Sequence, residues 1–110
     1  MPVGVREKVR AVSRDVGGQA KLARLIGVSP SRVSRWLDQE QPDAVNQRKV
    51  EGVEFVLSRL LGVWERDTAL KWLQGFNAHL GNRRPIDLLA AGRVGEVIEA
   101  IESEETGAYA

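Results

Sequence analysis

The chain has 110 residues, 43 % of them apolar and 28 % charged, with a formal net charge of +1. That is material for one compact domain, or for two small ones sharing a core. It has no cysteine, which excludes disulfides, thiolate metal sites and cysteine nucleophiles. No apolar run approaches the roughly 18 residues of a membrane span and no secretory signal opens the chain, so a cytoplasmic protein with no membrane contact is expected. The charge is uneven. Residues 1–50 carry ten Lys and Arg against five Asp and Glu, and residues 51–110 carry six against ten. A basic front suits a polyanion, because phosphate contacts release counterions. An acidic rear is repelled by nucleic acid and suits a protein partner.

Helical periodicity dominates, and the expected fold class is all-α. Val5, Val9, Val12 and Val16 fall on one helix face, with Gly17-Gly18 as the stop. A second helix follows from about Gln19 to Ile26, and a third from about Pro30 to Gln39. Together residues 19–38 read as a helix-turn-helix. Ala23 is the small residue such a unit needs where its helices cross, and Gly27 is at ease with positive φ in the tight turn. Ser29 is a good N-cap and Pro30 a good first helical residue. Val33, Trp36 and Leu37 face inward, which leaves Ser31, Arg32, Ser34 and Arg35 to solvent. Arg35 is the first candidate for base readout, since a guanidinium pairs with guanine O6 and N7 together. Ser31 and Ser34 complete the reading set, because Pro30 has no side-chain donor. Gln19, Lys21 and Arg32 are the candidate phosphate contacts, although each is also an ordinary polar helix position.

The polar stretch 38–43 is a loop broken by Pro42. Asn46 is the expected cap of a fourth helix with the stripe Val50, Val53, Leu57, Leu60, Leu61 and Trp64. Phe55 and Val56 widen that stripe past one face, as in a spine between two halves or a dimer seam. Gly62 is the expected stop, and Asp67 the expected cap of a fifth helix carrying Ala69, Leu70, Trp72 and Leu73. Residues 75–84 read as a loop, Pro85 opens a short helix ended by Gly92, and Val94, Val97, Ile98 and Ile101 stripe a last helix to about Ser103. The tail from Glu104 is too polar to pack unaided. The three tryptophans are read as core.

In the rear half, Ala69-Leu-Lys-Trp72-Leu73, then Asn77, Leu80-Gly81, Arg84-Pro85-Ile-Asp87-Leu88-Leu89 and Gly92 follow one another in order. This string resembles the toxin-binding domain of the Xre/MbcA/ParS antitoxins, over about residues 60–110. The Xre-like helix-turn-helix accounts for most of the rest. The resemblance implies a toxin partner of the RES fold, which consumes NAD by phosphorolysis, hydrolysis or ADP-ribosyl transfer. It also implies an antitoxin whose C-terminal region covers the toxin's NAD pocket, in a complex that often represses its own operon. On this reading Asn77, Arg83, Arg84, Glu102, Glu105 and Tyr109 are the toxin-binding candidates. Arg83 and Arg84 would pair with toxin carboxylates, and Glu102, Glu104 and Glu105 would mimic the pyrophosphate charge of NAD. Tyr109 would anchor the interface.

The expected layout is a helix-turn-helix domain over 1–45, a connecting or dimerisation helix over 46–61, and a toxin-binding domain with a flexible tail over 62–110. The first is expected to pack on the last. Helix-turn-helix proteins commonly bind as twofold dimers, so operator DNA and a second copy join the toxin as expected partners. No cofactor is expected. His79 is the only histidine and there is no glycine-rich phosphate loop or nucleophile elbow, which argues against a metal site and against an enzyme. Two rivals are a plain transcriptional regulator whose rear half dimerises or senses a ligand, and a protein-binding module that has lost DNA.

Overall fold

A computed structural model describes residues 4–107 of the chain. Among these, seven α-helices and one 3-10 turn are joined by short links. The only extended pairing is a single antiparallel bridge between Asn77 and Arg83. The all-α expectation is met.

Helix α1 (Val5–Val16) buries Val9, Val12 and Val16, and its end is closed by Gly17 in the left-handed region. Helix α2 (Gln19–Ile26) ends at Gly27, whose φ of 80° lets its N–H reach the Ala23 carbonyl at 2.9 Å. Only glycine adopts that conformation without strain. Ala23 itself is fully buried. Helix α3 (Pro30–Asp38) starts as expected: Ser29 Oγ accepts the Arg32 N–H, and Pro30 takes the first turn. Trp36 is sealed in the core beneath it.

Helix α4 (Ala44–Leu60) is the spine of the molecule, packing most extensively against α1 and α6. Its cap is Asp43, not Asn46. The Asp43 carboxylate accepts the Asn46 N–H at 2.9 Å and the Asn46 side-chain amide at 2.9 Å. Asn46 therefore lies buried inside the first turn. The 38–43 loop brings Asp43 to the cap position, where its charge also favours the positive helix end. At the far end, Leu61 closes the helix in a right-handed conformation, so Gly62 lies in the turn beyond and not at the stop.

Helix α5 (Arg66–Gln74) begins after Glu65 with no side-chain cap, and Asp67 lies in its first turn instead. The 75–84 segment holds a 3-10 turn (Ala78–Leu80) capped by Asn77, whose Oδ1 accepts the His79 N–H. Helix α6 (Pro85–Ala90) starts at its proline as expected. Helix α7 (Val94–Gly107) runs past Ser103. Its last turns are held by Ser103 and Thr106 hydroxyls donating to carbonyls one turn back, by ion pairs of Glu102 and Glu105 with Arg59, and by the approach of Glu104 to His79.

One hydrophobic core joins front and rear, from Val9, Leu22, Val33 and Trp36 to Leu73, Leu89, Val97 and Ile101. Full burial of such side chains contributes about 1.5–3 kcal/mol each. The approach of α4 to α6 is so close that a Cβ on Gly52 would lie 3.0 Å from the Leu89 Cβ. Polar ties reinforce it: Lys49 donates to the Ile26 carbonyl at the end of α2, and Arg48 to the Ala90 carbonyl at the end of α6. Phe55 and Val56 do not share a fate, since Val56 is fully buried and Phe55 is 59 % exposed.

Candidate functional site

The predicted DNA-contacting residues lie on α2 and α3, and one hydrogen-bonded pair ties the two helices together. Ser34 Oγ donates to Gln19 Oε1 at 2.8 Å, bringing the start of α2 against the outer face of α3. Ser31 shares a hydrogen bond with the capping Ser29. Arg32 lies over the Trp36 ring, 5.8 Å from its centroid, and its guanidinium meets Asp43 at 3.2 Å. Arg35 meets Glu40 at 3.1 Å. Lys21 is exposed apart from this cluster, in a cleft with Arg24, Asp67 and Lys71. Gln19, Ser31, Ser34 and Arg35 are exposed, and Arg32 half-exposed, so the face of α3 presents hydroxyls and two guanidinium groups.

The two acids that meet those arginines come from the 38–43 loop, which sequence reasoning treated only as a break. Asp43 is held below the ordinary carboxylate range, first by the Asn46 N–H and the Asn46 side chain, then by Arg32. A carboxylate kept ionised there stays available both as cap and as counter-charge to Arg32.

The predicted toxin-contacting residues do not form one cluster. Asn77 is buried and spent on capping the 3-10 turn. Arg83 donates to the Leu80 carbonyl at 2.7 Å and meets Glu96 at 3.3 Å. Arg84 forms a two-point contact with Asp87, at 2.9 and 3.0 Å, which holds its guanidinium more firmly charged than usual. That forked geometry makes Arg84 an organiser of the first turn of α6. Glu102 and Glu105 sit on the exposed side of α7, 3.9 and 3.5 Å from Arg59 of α4. Tyr109 lies outside the described residues.

Sequence reasoning missed the most conspicuous feature of the rear half. Trp64 and Trp72 are only half-buried, their rings 6.1 Å apart and tilted by 55°. With Phe76, which is 79 % exposed, they line an open groove of about 460 Å³ that also takes in Lys71, His79 and Glu104. Trp36, by contrast, is 1 % exposed. An aromatic at helical spacing reads the same whether its helix is covered or not, so the pattern gave no warning. The clue lay in the short polar segments flanking Trp64 and Phe76, which leave little to bury them. Among the described residues no group of acids and histidine has the arrangement of a metal site, and no helix is long and apolar enough to cross a membrane.

This arrangement of helices matches, over 99 % of this chain and 100 % of the other, a chain of the Mycobacterium tuberculosis MbcT–MbcA toxin–antitoxin complex. The TM-score is 0.72 at 24 % identity, a likeness of fold. In sequence, the chain is 29 % identical over 86 residues to the mycobacterial cidal antitoxin MbcA of Mycobacterium bovis and of two Mycobacterium tuberculosis strains. The match covers 77 % of this chain and 76 % of each relative. No protein-family profile matches the chain. The class is thus that of an antitoxin from a toxin–antitoxin system. In sequence and in fold the chain is similar to the MbcA-type antitoxins, which bears out the resemblance read from residues 60–110.

Proposed function

We propose that this chain neutralises a RES-fold, NAD-consuming toxin by covering its active site, and that as a homodimer it represses its own operon through α2 and α3. The observation that carries the reading is the sequence similarity to MbcA over three quarters of the chain. The fold likeness to a chain of the MbcT–MbcA complex supports it. Inhibition is steric and needs no chemistry from the antitoxin, in keeping with the expectation of a non-enzyme acting in the cytoplasm. The layout that serves it is a DNA-binding unit over 1–45, a connecting helix over 46–61 and a toxin-binding unit over 62–110.

The acidic end of α7 and the Trp64–Trp72–Phe76 groove form the toxin-facing surface in this reading. Glu104 lines that groove, so a toxin receiving the C-terminal end also covers the exposed aromatics. Such rings supply large contact area at interface centres. The α3 face, with Arg35 and the Ser34–Gln19 pair, faces the major groove. Co-expression with the cognate toxin tests the reading: growth and cellular NAD are restored and the two proteins co-purify. A poisoned culture and no stable complex refute it.

A further inference from the structure

A second groove, separate from the aromatic one, runs between α4 and the link from α6 to α7. Its volume is about 350 Å³, and Arg48, Glu51, Gly52 and Phe55 form one wall, with Leu89, Gly92 and Val94 opposite. The four α4 residues stand at i, i+3, i+4 and i+7, one face of the helix, and together make the kind of hole into which a side chain from another helix packs. Its floor is the Leu89 side chain, packed against Gly52 where a Cβ would lie 3.0 Å from the Leu89 Cβ, together with the bare Gly92. At its edge stands Phe55, a large ring more than half exposed, and Val45 continues the same helix face at 45 % exposure. Nothing else in the described residues covers this hole or this ring.

We propose that the groove is a twofold seam in which Phe55 of one copy of this chain seats in the groove of a second copy, and reciprocally. The inference rests on the homodimer reading above and says where the dimer closes. A twofold interface uses one patch on both subunits, so that patch must be self-complementary. This one is: knob and hole are neighbours on the same face. Its rim carries both signs, with Arg48 beside Glu51, which is itself paired with Lys8 of α1 at 3.1 Å. Two copies therefore meet with both signs on each rim, so that Arg48 of one can face Glu51 of the other. Phe55, more than half exposed beside an apolar hole, is the largest ring the seam would bury.

Sedimentation of the full chain across a concentration series, with Phe55→Glu and Val63→Glu beside it, tests the seam. Val63 is 64 % exposed and outside the groove, so its variant controls for added charge alone. The expected result is a wild-type dimer, unchanged by Val63→Glu and weakened about thirtyfold or more by Phe55→Glu, as for an aromatic anchor. Circular dichroism checks that each variant remains helical. A second measurement uses the cysteine-free background: a Phe55→Cys chain mixed with a Val94→Cys chain forms a disulfide-linked heterodimer. A dimer that ignores Phe55→Glu and gives no mixed disulfide overturns the seam and leaves the homodimer reading standing. A wild-type chain that stays monomeric throughout overturns both.

Discussion

The face of α3 and the end of α7 carry opposite charge, and both keep that charge occupied within the molecule. On α3, Arg32 and Arg35 hold Asp43 and Glu40. On α7, Glu102 and Glu105 hold Arg59, and Glu104 stands 3.9 Å from His79. The contrast is in what surrounds the pairs. The front surface is hydroxyls and guanidinium groups, with its tryptophan sealed beneath. The rear surface leaves two tryptophans half-covered and a phenylalanine bare. Exposed ion pairs contribute only about 0–1 kcal/mol, so neither set prevents a partner from taking the charge over. The apolar difference is the more telling: under the proposed function it gives the front to phosphates and base edges and the rear to a protein.

The largest expected effect separates a buried ring from an exposed one. Trp36→Ala removes a fully enclosed indole from the shared core and costs about 3–5 kcal/mol, lowering one melting transition common to front and rear. Phe76→Ala leaves stability within about 0.5 kcal/mol, as for an exposed position, while weakening toxin binding. Thermal unfolding followed by circular dichroism checks the first, and titration of the toxin the second. If Trp36→Ala left the melting transition unmoved, the single core joining the halves would be disproved.

Next in size is removal of residues 104–110. This deletion takes away Glu104, which lines the aromatic groove, and Glu105, which meets Arg59, but none of the core residues among those described. Toxin binding is expected to weaken by about 2 kcal/mol, the scale of an interface anchor, with the melting temperature and DNA binding retained. Equal protection of cells by the shortened and full chains would detach the rear surface from neutralisation.

How much of this contrast the sequence held depends on the kind of feature. The positions of α1, α2, α3 and α6 were legible because periodicity, Gly17, Gly27, Ser29, Pro30 and Pro85 all act within a few residues. The cap at Asp43 was not, because Asn46 is an equally good capping residue in isolation and only the path of the 38–43 loop decides between them. The length of α7 escaped notice for a related reason. Its last turns are polar, and Arg59 and His79, which meet them, are distant in sequence. Exposure of Trp64, Trp72 and Phe55 was hidden too, since helical spacing fixes the face of a residue and not whether another element covers it. The candidate DNA-contacting residues were legible as a helix face, but their internal partners Asp43 and Glu40 were not weighed.

Those partners give the smallest and most discriminating prediction. Arg35→Ala is expected to weaken operator binding by about 1–3 kcal/mol and to relax preference at one base pair. Glu40→Gln should act the other way. It removes the carboxylate 3.1 Å from the Arg35 Nε and one negative charge from the edge of the face proposed to meet phosphate. The gain is bounded by what an exposed pair holds, about 0.2–1 kcal/mol. Because the freed guanidinium adds a phosphate-sensitive contact, the gain should shrink as salt rises. Combining the changes supplies the control: in an Arg35→Ala background, Glu40→Gln loses the part of its gain that ran through Arg35 and keeps only the general charge effect. Equal gains in both backgrounds would mean that Glu40 acts on DNA directly and that its contact with Arg35 is incidental to binding.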